Sequence, residues 1–174
     1  MGAPWAEHES WELVEEASDI VGRDLAALLL DADAAELQNT RSSQIATFVL
    51  SLVVLDAVER LGVAPSAAAG HSLGEYTALT ATGALSFADG VRIVAARGEA
   101  MQVAAEDNPG TMAAILGLDD DDCDAACRRA DSDVWVANFN APGQVVIAGN
   151  DEALARAAVA AKELGAKRVM SLPV

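Results

Sequence analysis

Between residues 9 and 29, acidic side chains are interleaved with Trp11, Leu13, Val14, Ile20, Leu25 and Leu28. This helical spacing predicts one or two short amphipathic helices around Gly22. Residues 33–39, DAAELQN, predict a further short helix. Gln44 to Leu61 predicts a long apolar one that ends at Gly62, a residue suited to a helix C-terminus. Pro65 interrupts the pattern, and Ser66 to Ala69 is small and apolar, the expected strand. Leu73 to Thr82 then reads as a helix stopped by Gly83. Phe87 to Ala105 reads as another, with Ser86 as N-cap and Asn108-Pro109-Gly110 as its end.

After residue 110 the period changes. Thr111 to Leu118, Val134 to Asn138, Gln144 to Ala148 and Arg168 to Leu172 are strand-like, while Asp121 to Ala130 and Asp151 to Leu164 are helical. The order β-α-β-β-α-β is that of a ferredoxin-like split βαβ unit, a four-stranded sheet with two helices on one face. The chain therefore reads as an α/β protein in two parts. Residues 1–108 belong to a layered α/β body, and residues 109–174 form a small inserted α+β subdomain.

Composition narrows the partners. A formal net charge of −16, from 27 acidic and 11 basic residues among 174, argues against nucleic acid or an anionic membrane as partner, because both are repelled. The longest apolar run, Ile45 to Leu55, is too short to cross a bilayer and reads as a buried helix. The opening MGAPWAEHESWE lacks the basic flank and apolar stretch of a signal peptide, so a cytoplasmic location is expected. Cys123 and Cys127 lie four apart among acids, a spacing that puts both on one helical face. With no second cysteine pair and neither histidine nearby, they read as structural, half-buried small residues and not as a zinc site. No metal is expected.

One stretch carries chemistry. Gly70-His71-Ser72-Leu73-Gly74 sits between the expected strand and a helix, the context of the G-x-S-x-G nucleophile elbow. A serine at the tip of such a turn takes a strained backbone, and flanking residues without a Cβ let strand and helix pass closely, which gives both glycines a reason. The first amides of the new helix point at whatever is bound there. Two readings stand for Ser72: an activated nucleophile, or a serine in a surface turn. A nucleophilic serine needs a general base. Only His8 and His71 exist in the chain. His71, next to the serine on a tight turn, should project away from Oγ, and His8 falls in an acidic N-terminal segment expected to be mobile.

The longer stretch GHSLGEYTALTATGALSFADGVRIVAARGEAMQ resembles the core of the malonyl-CoA:acyl carrier protein transacylases and the related acyltransferase domains of polyketide and fatty acid synthases. TRSSQIATFVLSLVVLDAVERLG upstream and VANFNAPGQVVIAG downstream extend the resemblance over nearly the whole chain. It implies a partial α/β-hydrolase-like body carrying a ferredoxin-like insertion. It also implies that Ser72 takes the acyl group from coenzyme A as an ester, and that the backbone amide of Leu73 is one oxyanion-hole donor. By the same resemblance Arg97 holds the malonyl carboxylate, Gln44 is a pocket residue, and Asn140 borders the cleft between subdomains. A guanidinium can grip a carboxylate bidentately, which a neutral acetyl group cannot exploit. Without the resemblance Arg97 reads as a helix arginine in a surface ion pair, and Gln44 and Asn140 as polar residues satisfying backbone groups.

The implied activity is malonyl transfer from malonyl-CoA to the phosphopantetheine thiol of an acyl carrier protein, in fatty acid or polyketide synthesis, without metal or redox cofactor. The family's GQGSQ-like loop and the GAFHS-like segment with its catalytic histidine have no match in the chain. An internal portion of such an enzyme is therefore expected, with the remainder of its own enzyme as a further partner. The competing readings are a noncatalytic acyl-CoA- or carrier-binding fragment and a serine carboxylesterase. The second fits poorly with a cation at Arg97. Since acyl carrier proteins are typically acidic, Arg128, Arg129, Lys162, Lys167 and Arg168 are the expected docking patch. The other reading of these five is a set of solvated charges.

Overall fold

Gly22 closes the first amphipathic helix, α1 (Glu12–Val21), in a left-handed conformation with φ 66°, its N–H bonded to the Ser18 carbonyl. Asp24 then caps α2 (Leu25–Leu30) by accepting from the Ala27 N–H at 2.8 Å. Asp33 does the same for α3 (Ala34–Gln38) on the Glu36 N–H. The computed structural model describes residues 1–172 and divides into two compact units, Met1–Ala104 and Ala105–Val174.

The first unit is built around α4 (Thr40–Arg60). This helix starts four residues before the predicted Gln44 because Asn39 Oδ1 accepts from the Arg41 and Ser42 N–H groups, at 3.0 and 3.4 Å. At 21 residues, with a mean hydropathy of 1.4 over an 18-residue window, α4 is long and apolar enough to cross a membrane, unlike the shorter run predicted from its centre. Half of that window is buried within the protein, however, and Ile45, Phe48, Val49, Leu52 and Val53 pack with Val14, Leu25, Leu29, Val91 and Val94 as a core helix does. α5 (Leu73–Ala81) and α6 (Phe87–Asp107) complete the unit. Gly98 of α6 lies against α4 so closely that a Cβ there would sit 3.1 Å from Arg41 Cα. The two long helices thus meet backbone to backbone just beside Arg97 and Gln44.

Two expectations fail in this unit. Ser66 to Ala69 is not a strand; it is an exposed, irregular segment leading to Ser72. A strand exists only where a neighbour takes its N–H and C=O groups, and none of the described residues pairs with this one. The N-terminal segment is also not loose. The Gly2 N–H bonds to the Leu29 carbonyl at 2.8 Å, Ser10 is fully buried, and Arg60 of α4 pairs with Glu9 and Glu12.

The second unit contains β1 (Thr111–Leu116), α7 (Asp120–Arg129), β2 (Val134–Ala141), β3 (Gln144–Gly149), α8 (Asp151–Glu163) and β4 (Arg168–Leu172). These six elements fall where the hydrophobic pattern puts them, with ends moved by at most three residues. They form one antiparallel sheet in the order β2-β3-β1-β4, with Thr111 opposite Gly149 and Leu116 opposite Arg168. Ala113, Ile115, Val145 and Ile147 alternate inward and pack with Cys123, Ala126, Ala153, Ala157 and Ala161 from the two helices. The small alanines on α7 and α8 let the helices lie close to the sheet.

Candidate active site

Ser72 sits at the junction of the exposed segment and α5 with φ 54° and ψ −112°. A non-glycine residue in this region is strained, and such strain belongs at functional positions. The turn that imposes it depends on Gly70, where a Cβ would lie 1.9 Å from the Gly74 carbonyl oxygen. No side chain fits there. Gly74 is different from what its place in the motif suggests: a Cβ at that position would meet nothing within 4 Å.

Although Ser72 occupies the N-cap position of α5, its hydroxyl does not cap the helix. Oγ instead accepts a hydrogen bond from Arg97 Nη2 at 3.0 Å. Arg97 Nη1 donates to Gln44 Oε1. Gln44, nearly fully buried on α4, is itself fixed by its amide, which donates to Thr40 Oγ1 and to Met101 Sδ, each at 3.3 Å. The guanidinium carbon Cζ stands over the Tyr76 ring, 5.8 Å from its centroid, within cation–π range. A positive charge is therefore anchored on three sides beside an exposed serine hydroxyl, in position to receive a small anion next to it.

The amides at the start of α5 supply the second element. Gly74 N–H bonds to the His71 carbonyl at 2.9 Å and Glu75 N–H to the Ser72 carbonyl at 3.2 Å. Leu73 N–H, which as the first helical amide has no intrahelical acceptor, donates to no hydrogen bond among the described residues. It is thus left as a donor beside Ser72 at the positive end of the helix.

Of the residues singled out in the sequence, Ser72, Leu73, Arg97 and Gln44 converge in the first unit, while Asn140 lies on β2 of the second, exposed. His8 is engaged elsewhere: its Nδ1 accepts from the Ser10 N–H at 3.1 Å and its ring meets Trp5 edge-on at 5.8 Å. Three residues went unnoticed in the sequence: Tyr76, Thr40 and Met101. Each stands four residues from a site residue on the same helix face, Tyr76 from Ser72, Thr40 from Gln44 and Met101 from Arg97, and that spacing was the signal available. A hollow of about 580 Å³ lies alongside the elbow, lined by Leu55, Pro65, Ala68, Leu73 and Ala78 among others. None of Ser72, Arg97 and Gln44 lines it, so it is separate from the charged constellation.

Among the described residues no cluster of histidine, cysteine and carboxylate side chains could hold a metal. Burial, reinforced by the neighbouring Asp120, pushes the Cys123 thiol up to about 11, and burial also raises that of Cys127. Both are inert, buried thiols, opposite to the thiolate character a metal ligand needs.

Residues 6–172 match the family described as the acyl transferase domain. The chain is 47% identical over 166 residues to the malonyl CoA-acyl carrier protein transacylase of Escherichia coli K12, a match that covers 94% of the chain and 54% of that protein. It is 42% identical to the protein of the same name from Bacillus subtilis, covering 93% of the chain and 52% of the relative. Among solved structures, an acyl carrier protein S-malonyltransferase from Vibrio cholerae superposes over 100% of the chain and 58% of its own, with a TM-score of 0.90 at 41% identity. A type II PKS acyl-carrier protein in complex with its malonyl-transacylase gives a TM-score of 0.92 at 41% identity, over the same shares. The chain belongs to the acyl transferase domain family. It spans about half the length of the curated relatives it matches.

Proposed function

We propose that these residues carry the acyl-accepting site of a malonyltransferase. Ser72 Oγ attacks the thioester carbonyl of malonyl-CoA, its proton passes to a general base, and the coenzyme A thiolate leaves. The ester is then attacked by the phosphopantetheine thiol of an acyl carrier protein, which returns Ser72 to its starting state. The observation that carries this reading is the Arg97–Ser72 contact at 3.0 Å: a cation that close to Oγ is within reach of the far carboxylate of a three-carbon diacid esterified there. The Leu73 amide, free at the helix start, suits the developing oxyanion. In this reading Asn140 is a substrate-binding residue and the base is the histidine of a GAFHS-like segment, both as the resemblance implies. Thioester exchange through a seryl ester asks for no metal or redox cofactor.

The same reading describes the first unit as part of an α/β-hydrolase-like body and the second as a ferredoxin-like subdomain. Support for the latter is its β-α-β-β-α-β order and its antiparallel β2-β3-β1-β4 sheet. The enzyme acts in fatty acid or polyketide synthesis in the cytoplasm. Of the basic residues assigned to carrier docking, Arg128 is paired with Asp124 one helical turn away, and the Lys167 stem covers Gly117. Arg129, Lys162 and Arg168, all exposed, are the stronger candidates to meet an acidic carrier.

The test is acyl-enzyme formation in the full-length protein that carries these residues. Incubation with malonyl-CoA should add one malonyl group to the peptide containing Ser72, and a carrier protein in its phosphopantetheine form should remove it. Persistence of the adduct in Ser72→Ala would overturn the assignment.

A further inference from the structure

We propose that Tyr76 is a positioning residue that sets acyl selectivity by holding the Arg97 guanidinium in place; this rests on the malonyl-transfer reading above. A guanidinium uses its edge to bind carboxylates and its face to stack on aromatic rings. In the structure the N–H groups and the aromatic contact are engaged together. Nη1 and Nη2 donate to Gln44 Oε1 and Ser72 Oγ, and Cζ lies over the Tyr76 ring, 5.8 Å from its centroid. A cation–π contact uses none of the N–H donors that a carboxylate needs, so the ring steadies the group without competing for them.

Tyr76 is suited to hold the guanidinium because it is itself held. It lies one turn along α5 from Ser72, is half-buried, and packs against the core formed by α1, α2, α4 and α6. The element that aims the nucleophile thus also aims the clamp. A shift of the ring would tilt the guanidinium edge relative to Oγ and misplace the diacid, whereas a neutral acyl group, which makes no use of Arg97, would be far less affected.

The experiment compares loading of Ser72 by malonyl-CoA and by acetyl-CoA in the full-length protein and in Tyr76→Phe and Tyr76→Leu, followed by mass. Leucine keeps apolar packing against the core and removes the ring; phenylalanine keeps the ring. The expected result is a fall of about 2- to 10-fold in the malonyl-to-acetyl ratio in Tyr76→Leu, expressed in KM for malonyl-CoA, with the ratio in Tyr76→Phe within about 2-fold of the parent. A Tyr76→Leu enzyme in which both substrates fall together, or neither changes, would overturn the proposal, as would a Tyr76→Phe ratio as low as that of leucine. Failure of the parent to load malonyl at all would defeat the transfer reading itself, and so is told apart from failure of this proposal.

Discussion

Arg97 Nη2 and Ser72 Oγ, 25 residues apart in the chain, meet at 3.0 Å because α6 crosses α4 closely at Gly98 and α5 starts at a strained serine. The two groups are carried by different helices, Arg97 beside the close approach at Gly98 and Ser72 at the strained start of α5.

Arg97→Ala in the full-length protein should lose malonyl loading and shift the preference toward acetyl. The contact is half-exposed, so the penalty on the anionic group is that of a charge-assisted hydrogen bond partly screened by solvent, about 1–3 kcal/mol. Arg97→Lys should recover only part of it, since an ammonium cannot offer two parallel donors. Competition between the two acyl-CoAs in one reaction reads the ratio directly, and an unchanged ratio in the alanine variant would reject the clamp.

Gln44 gives a sharper sign. It supplies a neutral acceptor to Arg97, and replacing it by a carboxylate in the same nearly buried place would pair the guanidinium internally. Gln44→Glu should therefore raise KM for malonyl-CoA by about 10-fold or more, while Gln44→Leu, which only frees the guanidinium, should do less. Glutamate performing as well as glutamine would show that the diacid does not reach Arg97.

Local signals made much of this legible. The amphipathic spacing of α1 and α2 with Gly22 between them, the helical spacing of α7 and α8, and the short apolar runs of β1 and β3 all show in short windows, because burial dictates each. The GHSLGE stretch and AARGEAM mark Ser72 and Arg97. The small apolar composition of Ser66 to Ala69 permits a strand, but only a partner elsewhere makes one. The meetings of Arg97 with Gln44, across 53 residues, and with the Tyr76 ring are set by how helices cross, which no window of sequence contains.

The two motif glycines should behave differently on substitution in the 174-residue chain. Gly70→Ala drives a methyl into the Gly74 carbonyl, a backbone clash that no rotamer relieves, and should cost about 3 kcal/mol or more. Gly74→Ala meets nothing and exchanges a poor helix former for the best one, so it should be neutral or stabilising by up to about 1 kcal/mol. Denaturant midpoints of the two variants read the contrast. Equal destabilisation would mean that the turn is not built as described.

Cys123 ties stability to alkaline pH. Its thiol is fully buried against α8 and the sheet, and burial, with Asp120 adding to it, pushes it up to about 11 from an ordinary value of 9.0. The folded state thus holds the proton more tightly than the unfolded chain. The resulting stabilisation is whole below pH 9 and is lost as pH rises from there through about 11, since the unfolded thiol ionises first. Between pH 9 and 11 the parent should lose stability more steeply than Cys123→Ala, which lacks the titrating group although it starts from a less well packed core. At pH 8 the same burial should keep both thiols unreactive toward a disulfide reagent until the protein unfolds, when two equivalents react. Rapid reaction of Cys123 in the native protein, or identical pH slopes for parent and variant, would mean that the α7–sheet interface opens far more readily than its packing implies.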